Sequence, residues 1–184
     1  MKIYTRKGDD GTTGLLFGGR TQKDADAIAL NGAVDEAQAA LGWARSLQPV
    51  DGELNHVIAE VERDLWILMA EVATQLDNRP KLEDDRTKVS QRMIDQLEER
   101  IDFWSHQVDM PTEFVVPGEN QPSAALDVAR TVIRRAEREA VSWSLEGSLV
   151  VAYLNRLSDF VWTLARVAEG PSHRTARSMK EDNA

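Results

Sequence analysis

The stretch Ser123-Ala124-Ala125-Leu126-Asp127-Val128-Ala129-Arg130-Thr131-Val132-Ile133-Arg134-Arg135-Ala136-Glu137-Arg138 decides how this 184-residue chain folds. At about 100° per residue, Ala125, Ala129, Val132, Ile133 and Ala136, followed by Ala140, fall on one face of a helix. The alanines on that face let a neighbouring helix approach closely. Arg130, Arg134 and Arg138 gather with Glu137 on an adjoining face, because four-residue steps advance only about 40°. A line of guanidinium forks suits bidentate contacts to phosphate or carboxylate. An ordinary solvated charged face is the other reading of the same pattern.

Working outward, this helix is predicted to open near Pro122-Ser123 and run to about residue 145. Three helical patterns precede it, at about 25 to 47, 53 to 76 and 87 to 108, and one follows, from Gly147-Ser148 to Gly170-Pro171. Pro49 to Gly52, Asn78 to Arg86 and Pro111 to Gln121 punctuate them. Long helices joined by short loops predict an all-α, five-helix antiparallel bundle. No strand alternation and no internal repeat stand out. The length fits a single domain: an N-terminal loop over 1–23, a bundle over 24–170 and a polar tail over 171–184, read as loose.

Composition narrows the function classes. The net charge is −9, which argues against a nucleic-acid partner, since a phosphodiester backbone demands a basic footprint. Residues 1–23 carry a net charge of +3, whereas 24–110 carry −11 and 111–184 carry −1. Positive charge is thus concentrated in the first 23 residues and in Arg130–Arg138, a distribution suited to a small polyanion. No apolar run is long enough to span a bilayer and no secretory signal opens the chain, so a cytoplasmic protein is expected. With no cysteine, disulfides and thiolate metal sites are excluded.

The N-terminal segment Thr5-Arg6-Lys7-Gly8-Asp9-Asp10-Gly11-Thr12-Thr13-Gly14 reads as an ordered loop or a short extended piece. Its glycines permit backbone N–H groups to turn toward an anion, Thr12 and Thr13 add hydroxyl donors, and Lys7, Arg20 and Lys23 add charge. No Gly-Lys-Ser/Thr closes a P-loop, and the calcium-loop ligand positions after Asp9-Asp10-Gly11 are missing. On the residues alone, an anion cradle and a flexible terminus stand level. In the last helix, Asn155 interrupts an apolar pattern, either as a satisfied structural amide or as a group facing a ligand. Glu53-x-x-His56 has the spacing of di-iron bundles, but no second such motif exists, so His56 is read as a surface residue and no metal site is expected. The five tryptophans, at helical spacing, are read as mostly core.

Several stretches together resemble the PduO-type ATP:corrinoid adenosyltransferase family: Ile3 to Leu15, Gly32-Ala33-Val34-Asp35-Glu36, Phe114-Val115-Val116-Pro117-Gly118, Val128 to Arg138, and Tyr153-Leu154-Asn155-Arg156-Leu157-Ser158-Asp159. The resemblance spans residue 3 to about 168. It implies a homotrimer with active sites between subunits. The implied reaction transfers the 5′-deoxyadenosyl group of ATP to cobalt(I) of cobalamin, forming adenosylcobalamin and releasing triphosphate. Carried over, Thr5, Arg6, Lys7, Gly8, Thr12, Thr13 and Lys23 would wrap the phosphates. Arg134, Arg135, Glu137, Arg138 and Asn155 would meet the nucleotide. Asp35 would pair with Arg130 across the interface, and Phe114 would press on the lower corrin face and exclude an axial ligand. Mg²⁺ would ride on the phosphates; a reductase and an adenosylcobalamin-dependent acceptor enzyme are the implied partners. Ala27, Gln38, Glu119 and Asp127 depart from the family pattern. A non-catalytic ATP- or corrinoid-binding bundle, acting as carrier or sensor, is the alternative function.

Overall fold

A computed structural model describes residues 3–171 and 173–176. Among these, five α-helices carry the fold: α1 (Asp26–Ser46), α2 (Glu53–Val72), α3 (Gln91–Ser105), α4 (Gln121–Trp143) and α5 (Val150–Glu169). A short 3-10 helix, Leu76–Lys81, follows α2. Two three-residue strands, β1 (Thr12–Gly14) and β2 (Arg20–Gln22), pair antiparallel ahead of α1. Three residues per strand are too few to leave an alternation in the sequence, and the hairpin therefore reads there as loop.

Caps set the helix bounds. Asn120 and Ser123 form a reciprocal capping box at the start of α4, with Pro122 in its first turn. Ser90 accepts from the Met93 amide and starts α3 there rather than at 87. Helix α2 stops at Val72, not 76, because the chain turns at Ala73 and Thr74, where Leu16 N donates to Ala73 O at 2.9 Å. That bond fastens the hairpin to the end of α2.

Side-chain links give the helix directions. Asn55 at the start of α2 donates to Arg45 O at the end of α1, and Asn120 before α4 donates to Ala168 O near the end of α5. Tyr153 of α5 donates to Asp64 of α2 at 3.1 Å, and Arg100 of α3 pairs with Glu60 of α2. Each of these pairs runs antiparallel. Helices α3 and α5 are both antiparallel to α2 and so share a direction, as one pair must in a ring of five. Burial at the Tyr153 contact raises the Asp64 carboxyl and pushes the Tyr153 phenol well up.

The core joins Leu30, Leu41, Ile58, Leu65, Leu68, Leu126, Ile133, Leu154, Leu157 and Phe160, all fully buried. Ala125, Ala129, Ala136 and Ala140 are also inaccessible, in line with a close helix approach along α4. The tryptophans correct one expectation. Trp104 and Trp143 are buried and Trp162 is half-buried, but Trp43 and Trp66 stand on outer helix faces, 52% and 64% exposed. Their apolar neighbours in sequence belong to other faces of the same helices. His56 is exposed, as read. The tail is less loose than its polarity suggests: His173–Ala176 is bonded back onto the 114–116 loop. Residues 177–184, also read as loose, lie outside the described residues.

At the hairpin end of the bundle, the carboxylate of Glu71 is fully buried. It accepts from Val89 N at 2.8 Å, from Arg79 at 2.8 Å and from the Ser148 hydroxyl at 2.8 Å. One side chain thus ties the end of α2 to the 3-10 helix, to the approach to α3 and to the start of α5. Removing one member of a buried charged pair costs about 3–5 kcal/mol, so Glu71→Ala is expected to lose that much in urea unfolding. A loss below about 1 kcal/mol, the ordinary size of a point substitution, would remove Glu71 from this role.

Candidate functional site

Two clusters gather the residues singled out in the sequence. The first is the loop held by the β1–β2 hairpin. Asp10 Oδ1 accepts from the Thr12 amide at 2.9 Å and from its hydroxyl at 2.8 Å. Arg20 Nε donates to Thr12 Oγ1 at 2.9 Å, and the same guanidinium reaches Lys7 O. Lys23 Nζ donates to Gly8 O at 2.7 Å. A Cβ on Gly8 would sit 3.1 Å from that Nζ and 3.2 Å from Thr12 O, a tight approach that a side chain there would have to relieve. Arg6 takes a left-handed φ of 60° and Gly11 one of 84°, which turns the chain back on itself. The Arg6 guanidinium stacks over Tyr4 at 5.5 Å, and Thr5 Oγ1 accepts weakly from Lys7 N. Thr13 pairs with Thr21 in the hairpin. The loop is therefore shaped from within, with Thr5, Arg6, Lys7 and Lys23 left exposed.

The second cluster lies along α4. Arg134, Arg135 and Arg138 are exposed. Arg135 pairs with Glu36 of α1, Arg138 donates to Arg134 O at 2.9 Å, and Asn155 of α5 donates to Glu137 at 2.8 Å. Asn155 is itself exposed, and its bond to Glu137 joins α5 to α4. One turn before Arg134, Arg130 reaches a cavity of about 400 Å³ also lined by Phe114, Val115, Asp127, Trp162 and Arg166. Phe114 is 91% exposed at its edge. Asp35 is exposed on α1, and within the chain Arg130 is held by Asp127 at 3.0 Å.

The hairpin loop and the α4 face are carried by different elements. The loop is fastened to the end of α2, while the arginine line runs along α4 and its Phe114 end abuts the last turn of α5. Three of the departures have plain places. Gln38 donates to Glu62 O at 2.9 Å, Glu119 lies 4.0 Å from Arg174, and Asp127 is 5% exposed between Arg130 and Arg166. Ala27 packs half-buried against the core. Arg166, Glu169 and His173 escaped sequence reading. Their three- and four-residue spacing was visible, but the link from Arg166 to Asp127, 39 positions away, was not.

Comparison with known proteins gives these clusters a context. The family model described as cobalamin adenosyltransferase matches residues 3–168. A corrinoid adenosyltransferase of Mycobacterium tuberculosis is 40% identical over 172 residues, 91% of this chain and 88% of the relative. One from Bacillus subtilis is 33% identical over 178 residues, covering 94% and 89%. The structure of a variant PduO-type ATP:corrinoid adenosyltransferase from Lactobacillus reuteri, complexed with cobalamin and ATP, superposes with a TM-score of 0.84 at 30% identity, covering 96% of this chain and 97% of that one. The chain is a helical-bundle transferase. It belongs to the cobalamin adenosyltransferase family, and within that family to the PduO type.

The bonds from Thr12 hold the Asp10 carboxyl below its ordinary value of 3.8, with Arg20 adding a smaller pull the same way. A depressed carboxyl favours the folded loop at pH above 3.8, and that preference is lost as pH falls through the folded value. An NMR titration of the Thr12 amide is expected to show its midpoint below 3.8; a midpoint at or above it would mean that the Asp10–Thr12 bonds are not kept in solution.

Proposed function

We propose that the chain transfers the 5′-deoxyadenosyl group of ATP to the cobalt of a reduced corrinoid, cobalamin being the reference substrate. Cobalt(I) supplies the electron pair that forms the bond to C5′. The C5′–O bond breaks, and its electrons leave with inorganic triphosphate. No protein nucleophile is needed, so the chain's task is to position both substrates and stabilise the leaving charge.

The observation that carries this reading is the order of groups on α4. Arg130 sits in the cavity edged by Phe114, and Arg134 and Arg138 follow one and two turns on, about 6 Å and 12 Å along the axis. A corrin ring against Phe114 thus lies within a nucleoside's length of cations able to hold triphosphate. An aromatic ring left 91% exposed is unfavourable in water and suits a flat apolar ligand.

In this reading Arg134, Arg135, Glu137, Arg138 and Asn155 meet the nucleotide. Thr5, Arg6, Lys7, Gly8, Thr12, Thr13 and Lys23 wrap its phosphates. In this reading a neighbouring subunit supplies the loop, within a homotrimer with shared sites. Asp35 then meets Arg130 across that interface, in competition with Asp127. Phe114 excludes the axial ligand, leaving cobalt(II) easier to reduce. Magnesium arrives with the phosphates: among the described residues no group of three His, Cys, Asp or Glu is placed to hold a metal, and nucleotide oxygens suit that ion. The electron comes from a reductase and the product passes to an adenosylcobalamin-dependent enzyme. No helix among the described residues is long and apolar enough to cross a membrane, which is compatible with a cytoplasmic setting.

Anaerobic incubation with ATP, Mg²⁺ and chemically reduced cobalamin is expected to yield a light-sensitive adenosylated product and triphosphate in equal amounts. Binding of both substrates without product would instead identify a carrier or sensor. Arg134→Ala is expected to lower kcat about 10²–10³-fold, the usual loss on deleting one preorganised charge-stabilising donor; wild-type turnover would refute its role.

A further inference from the structure

Behind the Phe114 cavity lies a segment beyond the residues matched by the family model, His173–Ala176. Val116 N donates to Arg174 O at 2.8 Å and Ala176 N to Phe114 O at 3.0 Å, so Val115 and Thr175 form an antiparallel bridge. The Phe114 backbone is thereby held by a short strap.

The strap has its own anchor. His173 Nδ1 lies 2.7 Å from Glu169 Oε2, and Nε2 lies 3.2 Å from Asp109 O. Glu169 also accepts from Arg166 at 2.9 Å, and Arg166 donates to Asp127 at 2.6 Å. Asp127 in turn accepts from Arg130 at 3.0 Å. Five linked side chains, Arg130–Asp127–Arg166–Glu169–His173, thus run from the cavity wall on α4 to the strap. The Arg166 and Glu169 side chains are buried, where a charge is tolerated only with its partners in place, so each member fixes the next.

We propose that His173–Ala176 is a positioning strap for Phe114 and that His173 is the positioning residue that locks it to the bundle. The inference rests on the reading that Phe114 meets the corrin ring. The Phe114 ring is too exposed to be placed by core packing, and its loop includes Gly118 at a φ of 113°. The backbone pairing with the strap therefore determines where the ring stands.

Steady-state kinetics on the full chain tests this with His173→Ala, Ala176→Pro, which deletes the amide that bonds Phe114 O, Phe114→Ala, and the His173→Ala/Phe114→Ala pair. Each strap variant is expected to lower kcat about tenfold to a hundredfold, as a displaced reacting partner does. The KM for cobalamin rises while that for ATP stays within about twofold, which separates displacement of one group from general unfolding. In the Phe114→Ala background, His173→Ala causes no further loss, because it acts through a ring already removed. Full turnover in both strap variants while Phe114→Ala is slow overturns the strap and leaves Phe114's role standing. Losses that multiply in the double variant also overturn it. Wild-type turnover in Phe114→Ala overturns the reading of Phe114 and the strap with it.

Discussion

The geometry of this protein depends on a buried carboxylate at the end of α2. Glu71 has no access to water, and three donors from three separate segments converge on it. A lone ionised carboxylate in such a place would be prohibitively costly, and only the full set of partners makes it tolerable. The requirement is mutual. The 3-10 helix, the lead into α3 and the lead into α5 must all arrive together for any of them to be satisfied. Two residues further on, the same helix end receives the β1–β2 hairpin through Leu16. The orientation of the hairpin loop therefore follows from how α2 is finished.

The opposite end of the bundle uses the same device in an extended form. There, bonded side chains run from Arg130 through Asp127, Arg166 and Glu169 to His173. Asp127 is one of the departures from the family pattern, and it sits between Arg130 and Arg166. Its carboxylate accepts from both arginines at once. Arg130 is consequently held from within the chain, and a contact from Asp35 of a neighbour would meet a group already restrained.

Much of this was readable from residue order. The α4 pattern placed the apolar alanine face and the arginine line correctly because both follow from one angle per residue, and four of the five helices begin or end within a residue or two of their punctuation. The hairpin was not readable, because three residues per strand leave no periodic trace. Nor were the true start of α3, set by Ser90 and not by the earlier polar residues, or the exposure of Trp43 and Trp66, since an aromatic at helical spacing does not reveal which face it is on. Of the site, Arg134, Arg138, Asn155 and Phe114 lie at accessible positions where their motifs put them. The pairing of Asp127 with Arg166 joins distant positions, and no local pattern announces it. The tail's polarity concealed a segment bonded through its backbone, to which side-chain composition is blind.

Trp162 lines the Phe114 cavity, with the Arg166 guanidinium 5.6 Å above its ring. An indole's emission responds to water and to nearby charge, so the chain carries an optical reporter at one end of α4. The other tryptophans lie outside that cavity lining and supply a background against which its change is read. Filling of the cavity could thus be followed in real time in unlabelled protein, before any chemistry begins.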